Sequence, residues 1–181
     1  MRTLMLLRHA KSSWDEPALD DFDRPLNERG RAAAPLMARY LLQHELQPDA
    51  VLCSSAVRTQ ATLDLVLSVL GPPAPAITYE DGLYLAPASI LLDRVRRAKA
   101  EWPCVMMVGH NPGLHDLAVL LASSEGGEPL AAIVAKFPTA SLAVFTFASK
   151  NWQAIKPHSG TLTHFTTPSR LQKSAGGRAK P

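Results

Sequence analysis

Three short stretches of the sequence carry side chains that could bind and transfer an anionic group. Arg8 and His9 are adjacent, Arg58 lies a few residues after a pair of serines, and His110 follows a glycine. Guanidinium groups bind phosphate oxygens through paired hydrogen bonds, and protonated histidines also attract an anion. Gathered together, these cations would repel one another unless an anion lay between them. The set therefore predicts a phosphate site.

The residues before each stretch explain how they could be gathered. Each stretch directly follows a short apolar run that predicts a buried strand, and a helix pattern follows. The three predicted strands are residues 4–7, 49–53 and 104–108. Because the carboxyl ends of parallel strands meet at one edge of a sheet, Arg8, His9, Arg58 and His110 are expected at that edge.

The remaining pattern predicts an α/β fold, a three-layer αβα arrangement with a mostly parallel central sheet. Helices are expected from Asn27 to about His44, from Ser54-Ser55 to Leu70, from Pro87 to Glu101, and from Asn111 and Pro112 onwards. Residues 76–79 are a weak edge strand and residues 123–129 a loop. Residues 141–147 and 152–156 predict a C-terminal antiparallel hairpin.

Length and charge predict one domain with a basic tail. A chain of 181 residues is of single-domain size, and we place the domain at residues 1–166. The net charge of +3 comes from residues 167–181, which contain four basic residues and no acidic ones. That composition predicts a disordered, solvated tail rather than a nucleic-acid contact. No apolar run is long enough to span a membrane and no signal peptide is evident, so we predict a cytoplasmic protein.

The ordered motifs resemble the histidine phosphatase superfamily, and within it the SixA-type phosphohistidine phosphatases. The resemblance runs from Arg2 to about Lys156. The motifs that carry it are Leu7-Arg8-His9, Ser54-Ser55-x-x-Arg58-Thr59-x-x-Thr62, Gly109-His110-Asn111-Pro112, Pro25-Leu26-Asn27-Glu28-Arg29-Gly30 and Phe137-Pro138-Thr139.

The resemblance implies a two-step phosphoryl transfer. His9 would attack phosphorus and carry the phosphoryl group, and water would then release it. Arg8, Arg58 and His110 would hold the phosphoryl oxygens and neutralise their charge. The resemblance implies no cofactor and no metal, because the cationic side chains supply the charge a metal ion would supply.

Two departures from the superfamily pattern bear on the substrate. Ala10 stands where the pattern usually has glycine, and we expect its methyl group to narrow the pocket floor. Gly82 falls where larger members carry an acidic residue, with Glu80 and Asp81 beside it. Imidazole leaves phosphorus readily once its other nitrogen is protonated, so a phosphohistidine substrate tolerates a poor general acid.

These residues leave three functions open. The leading one is a phosphatase acting on a phosphohistidine-bearing signalling or phosphotransfer protein. The second is a phosphomonoesterase for a small metabolite, with Glu80 or Asp81 as the acid. The third is a phosphoprotein-binding module without turnover. The sequence does not set the oligomeric state.

Other nearby residues have two readings each. Lys11, Ser12 and Trp14 could line the pocket or pack within their loop. The acidic run from Asp15 to Asp23 predicts a solvated loop rather than a metal site, because its spacing fits no calcium loop.

Overall fold

A six-stranded sheet forms the centre of the computed structural model, which describes residues 1–123 and 127–176. The strands are β1 (Arg2–Arg8), β2 (Ala50–Ser54), β3 (Ala76–Glu80), β4 (Cys104–Gly109), β5 (Leu142–Phe147) and β6 (Thr161–Thr166). Their order is β3-β2-β4-β1-β5-β6. β1 to β4 pair in parallel, and β5 pairs antiparallel with both β1 and β6. The predicted mostly parallel sheet with an antiparallel pair of strands at its C-terminal end is confirmed, although the second strand of that pair is β6.

Helices cover both faces of this sheet, which confirms the three-layer arrangement. They are α1 (Glu28–Gln43), α2 (Val57–Leu70), α3 (Ala88–Arg96), α4 (Gly113–Leu121), α5 (Gly127–Ala135) and α6 (Pro168–Gly176). Leu4 and Leu6 of β1 belong to the core cluster of α3 and α4, and Met5 and Leu7 to that of α1 and α2. A strand buried on both faces reads as a continuous apolar run, as residues 4–7 do. None of the described helices is long and apolar enough to cross a membrane.

The two central strands, β1 and β4, send the chain to opposite faces of the sheet. After β1 the chain enters α1, whose Met37 and Leu41 lie in one core cluster. After β4 it enters α4, whose Leu114 and Leu117 lie in the other. Adjacent parallel strands whose connections diverge open a crevice at their carboxyl ends, where ligands bind in sheets of this kind.

The helix starts are close to those predicted. Asn27 caps α1 as expected, and its side chain accepts a hydrogen bond from the Gly30 amide at 2.9 Å. The serine pair does not cap α2, which begins after Ala56. α4 begins at Gly113 with Pro112 as its cap, one residue later than predicted.

The predicted second strand of the hairpin is wrong. Residues 152–156 contain a 3-10 helix over Trp152–Ala154, and the partner of β5 is β6. The Trp152 side chain is buried, and its indole N–H donates to the Trp102 carbonyl oxygen at 2.8 Å. The Trp152 side chain therefore packs into the core, while the backbone of its segment does not pair with β5.

The predicted disordered tail is wrong over its first part. α6 occupies Pro168–Gly176, with the Thr167 hydroxyl accepting from the Arg170 amide at 3.3 Å. Leu171 packs against the core cluster of α1 and α2, and this tertiary contact stabilises the helix. Residues 177–181 lie outside the described residues.

The predicted loop at residues 123–129 is partly replaced by α5, which begins at Gly127. Pro129 is then the third residue of α5, and proline is tolerated in the first turn of a helix. Residues 124–126 of the predicted loop lie outside the described residues.

Candidate active site

A cavity of about 460 Å³ opens at the carboxyl ends of β1 and β4. The four side chains singled out in the sequence all line it: Arg8, His9, Arg58 and His110. The structure therefore brings the whole predicted set together. Asp21 is the one carboxylate lining the cavity within residues 1–123 and 127–176.

The register of the sheet places the two histidines side by side. Arg8 of β1 lies opposite Gly109 of β4, so His9 and His110 are the next residues along two neighbouring parallel strands. The His9 amide donates to the Gly109 carbonyl oxygen at 3.0 Å, which extends the pairing by one residue. The two imidazole rings have centroids 5.2 Å apart.

The hydrogen bond made by His9 determines which ring nitrogen is free. Its Nδ1 lies 2.7 Å from the carbonyl oxygen of Ala10. A carbonyl oxygen only accepts, so Nδ1 carries the proton and donates. Burial, together with the nearby Arg58 and Arg8 guanidinium groups, lowers the pKa of His9 to about 4. Near neutral pH the ring is uncharged and Nε2 holds a free lone pair, as a nucleophile requires.

His110 is also held neutral beside its neighbour. Its Nε2 lies 2.8 Å from the hydroxyl oxygen of Ser54, at the end of β2. Burial, then His9 and Arg58, lowers the pKa of His110 to about 3. The imidazole is thus a neutral hydrogen-bonding group in the pocket.

The two lowered pKa values predict that acid destabilises the fold. Unfolded histidine binds a proton below its ordinary pKa of 6.5, whereas folded His9 binds one only below about 4. The contribution of each neutral histidine to the free energy of unfolding is therefore fully present above pH 6.5 and is lost as the pH falls towards 4. For His9 the loss at pH 4.5 is about 2.5 kcal/mol. Urea unfolding of wild type and His9→Gln at pH 7.5 and 4.5 checks this. Equal pH dependence in both proteins would contradict it.

Arg58 is held in place by a residue that the sequence interpretation did not select. The Arg58 side chain is almost fully buried, and its Nη2 donates to Asp21 Oδ2 at 2.8 Å. Its Nη1 donates to the Asp21 backbone oxygen. Asp21 also accepts from Arg24 Nη1 at 2.8 Å and from the Tyr84 hydroxyl at 2.6 Å. The acidic run was predicted to be a solvated loop, whereas Asp21 joins two arginines of the pocket.

These contacts keep Asp21 charged. Burial alone would raise the pKa of this carboxyl, but hydrogen bonds from Tyr84, Arg24 and Arg58 hold it well below its usual range. The carboxylate is therefore an acceptor over the whole physiological pH range. It cannot serve as a proton donor.

Several buried polar atoms near the cavity lack a hydrogen-bond partner among the residues described here. Arg8 Nε, His110 Nδ1 and Asn111 Oδ1 all belong to residues that line the cavity. An unsatisfied buried polar atom costs about 1–3 kcal/mol, so folds rarely collect them without a functional reason. Arg8 is anchored instead through Nη1, which donates to the Phe137 carbonyl oxygen at 2.9 Å.

The Pro25–Gly30 motif holds the loop that follows His9. The Asn27 amide donates to the Lys11 carbonyl oxygen at 3.0 Å, and the Ser13 amide to the Pro25 carbonyl oxygen at 2.8 Å. Gly30 lets the start of α1 lie directly on this loop, because a Cβ there would stand 2.1 Å from the Lys11 carbonyl oxygen. The motif therefore fixes the backbone beside the nucleophile.

Gly30→Ala is expected to destabilise the protein by about 3 kcal/mol or more, because the clash is with backbone that cannot rotate away. Gly82→Ala is the matched control, since nothing lies within 4 Å of a Cβ at Gly82. Its effect should stay within about 0.5 kcal/mol. Urea denaturation measures both, and equal losses would contradict the packing argument.

The structure distinguishes between the two interpretations of the residues after His9, pocket lining and packing within the loop. Lys11, Ser12 and Trp14 all line the cavity. Trp14 is 74% exposed, and its ring lies under the Arg24 guanidinium, 3.1 Å from the ring centroid. Ala10 does not narrow the pocket floor, because its methyl group is fully buried in the core cluster of α1 and α2.

Glu80 and Asp81 do not line the cavity. Glu80 forms an ion pair with Arg94 of α3 at 2.7 Å. Asp81 accepts a hydrogen bond from Ser55. Both carboxylates are thus held by other partners. Within the described ranges, no group of three or more His, Cys, Asp or Glu side chains is arranged to hold a metal ion.

Comparison with known sequences gives a consistent family match. The model of the histidine phosphatase superfamily (branch 1) matches residues 4–83. An uncharacterized protein of Mycobacterium tuberculosis is 35% identical over 164 residues, which is 90% of this chain and 99% of that protein.

Solved structures agree with that match over nearly the whole chain. SixA from Agrobacterium tumefaciens is 33% identical with a TM-score of 0.75, covering 92% of this chain and 98% of that one. SixA from Nakamurella multipartitia is 28% identical with a TM-score of 0.79, covering 92% and 96%. Both are provisionally assigned as phosphohistidine phosphatases.

Proposed function

Because this chain belongs to the histidine phosphatase superfamily, in its SixA-type branch, we propose that it removes the phosphoryl group from phosphohistidine on a protein. The family supports phosphatase chemistry in general. The phosphohistidine substrate is the finer step, and it rests on the chemistry of the cavity.

The observation that carries the proposal is the state of His9. Its proton is fixed on Nδ1 by the Ala10 carbonyl oxygen, and burial keeps the ring neutral. A module that only bound phosphate would need a hydrogen-bond donor at this position, whereas this tautomer of His9 leaves Nε2 with a free lone pair and no proton. A nucleophile needs the neutral ring.

In the first step, His9 Nε2 attacks the phosphorus of phosphohistidine. A bond forms between His9 and phosphorus, and the bond between phosphorus and the substrate imidazole breaks. Arg8 and Arg58 neutralise the charge on the transferring oxygens, and His110 hydrogen-bonds to them. These side chains supply the positive charge, so the reaction is proposed to need neither a metal ion nor a cofactor.

The leaving imidazole takes no proton from the enzyme. Its second nitrogen is protonated by solvent, because the ordinary imidazole pKa is about 6.5. This agrees with the cavity, in which Asp21 is ionised and bound to arginines. In the second step water attacks the phosphoryl group on His9, and inorganic phosphate leaves with the imidazole restored.

The proposed substrate is a signalling or phosphotransfer protein in the cytoplasm. The mouth of the cavity supports a macromolecular substrate, because the rim residues Trp14 and Leu85 are 74% and 48% exposed. Large exposed apolar side chains at a binding cavity are typical of contact surfaces for other molecules.

The proposal is tested by comparing substrates at equal pH, with a chelator present. Wild type should hydrolyse a phosphohistidine peptide with a kcat/KM at least about tenfold above that for an aryl phosphate or a phosphoserine peptide. Brief mixing with labelled peptide should trap an acid-labile, alkali-stable phosphoenzyme. Binding of the peptide without label or release of phosphate would instead indicate a binding module.

The second candidate, a phosphomonoesterase for small metabolites, requires an acid from Glu80 or Asp81. Since both carboxylates are bound elsewhere, Glu80→Gln and Asp81→Asn should each change kcat for the phosphohistidine peptide by less than about threefold. Loss of turnover in either variant, on peptide and aryl phosphate alike, would favour the phosphomonoesterase.

A further inference from the structure

A second cavity, of about 310 Å³, adjoins the first. The two share Lys11 and Thr139, so they meet at one wall. The other walls of the second cavity come from the first two turns of α1 and of α6, from Thr167 before α6 and from Pro138. A substrate residue next to the phosphorylated one could reach it across Lys11 and Thr139.

The charge of this second cavity is unbalanced. Lys11 and Arg29 line it, and no carboxylate does among the residues placed in the structure. None of the ion pairs formed within the described ranges involves Lys11 or Arg29, and both residues are exposed. Arg58, by contrast, already has the Asp21 carboxylate as its partner.

The remaining polar wall residues are Thr139, Thr167, Ser169 and Gln172. The Thr167 and Ser169 hydroxyl groups are hydrogen-bonded to each other at 3.0 Å, and the Thr139 hydroxyl and the Gln172 amide are further groups that can donate. Ala32, Ala33, Pro138 and Pro168 also line the cavity, so part of its wall is apolar. A cation pair with hydroxyl and amide donors and an apolar wall matches a carboxylate on a short aliphatic stem.

We propose that this cavity binds an acidic side chain of the phosphorylated substrate protein, close in sequence to its phosphohistidine. The inference rests on the proposed function, because it requires that the phosphohistidine of the substrate is bound in the adjoining cavity. It goes further by giving the substrate a sequence feature. The acidic side chain would fix the register of the peptide and so select among phosphohistidine proteins.

Binding to His9→Ala protein tests this without consuming the substrate. The probes are labelled phosphohistidine peptides that carry Asp residues on one or the other side of the phosphohistidine, and the same peptides with Asn. The acidic peptides of at least one set should bind about fivefold or more tighter than their Asn partners. Adding Arg29→Glu should abolish that preference.

Arg39→Glu is the matched control. Arg39 is an exposed arginine on the same helix that lines neither cavity, and the change in net charge is the same. It should leave the preference for acidic peptides intact. Equal binding of acidic and Asn peptides, or equal loss of preference in both charge reversals, would overturn the proposal.

Failure of the wider function gives a different result. If wild type does not hydrolyse the phosphohistidine peptides, the proposed function fails whatever the binding preference is. If wild type hydrolyses them through His9 but shows no preference for acidic peptides in binding, only the second cavity has been misassigned.

Discussion

The His9→Ala variant is expected to lose turnover of phosphohistidine peptide by about four orders of magnitude or more, and to take up no phosphoryl label. The substitution removes the only side chain of the chain that forms a covalent bond to phosphorus in the proposed reaction. Arg8, Arg58 and His110 remain, so the variant should still bind the phosphopeptide. Rapid-quench labelling and steady-state kinetics measure the two effects.

His115→Ala is the control for this substitution. His115 lies on α4 outside the cavity, and its Nε2 hydrogen-bonds to the Ile133 carbonyl oxygen at 2.7 Å. Its removal should leave labelling and turnover near wild type. A labelled His9→Ala protein would move the nucleophile to another residue.

Arg58→Lys is expected to lower kcat/KM by about a thousandfold. Lysine keeps the charge but loses the planar fork of donors, which matches two phosphoryl oxygens at once. Arginines that neutralise a transferring phosphoryl group contribute about 10³ to 10⁵ in rate. Arg58 is also buried against Asp21, so the shorter lysine side chain cannot shift to place its ammonium group where the guanidinium lies.

Arg94→Lys separates this effect from the loss of a partly buried ion pair. Arg94 pairs with Glu80 at 2.7 Å and does not line the cavity. Its substitution should change thermal stability slightly and kcat/KM by less than about threefold. Equal losses of kcat/KM in the two lysine variants would show that the loss of an ion pair, rather than of phosphoryl binding, explains the Arg58 result.

The parts of the fold that the sequence predicted are those with short-range signals. The apolar runs before Arg8, Ser54 and His110 have the length of buried strands and end in polar residues. Parallel pairing then brings their ends together, so the candidate set could be assembled without coordinates. Asn27 followed by a helical pattern likewise predicted the start of α1.

What the sequence did not predict depends on contacts between distant segments. Asp21 begins a short 3-10 helix within the acidic run, and only the fold brings its carboxylate to Arg58, 37 residues later. β6 was missed because a strand at the sheet edge has a weaker apolar pattern than Trp152 and Ile155, which pack without pairing. α6 was missed because the basic composition of this segment is typical of a disordered tail. The contact of Leu171 with the core, which stabilises the helix, is visible only in the fold.

The carboxylate of Asp21 gives the pocket an anion of its own, bound to Arg24 and Arg58. It is tethered, so its effective concentration at Arg58 and Arg24 is far above that of any free ion in the cell. In the proposed reaction, inorganic phosphate would compete with it for the same guanidinium donors, so the product would leave more easily than from the arginines alone. Under the proposed function we therefore expect little product inhibition, because a substrate protein would make further contacts that free phosphate lacks.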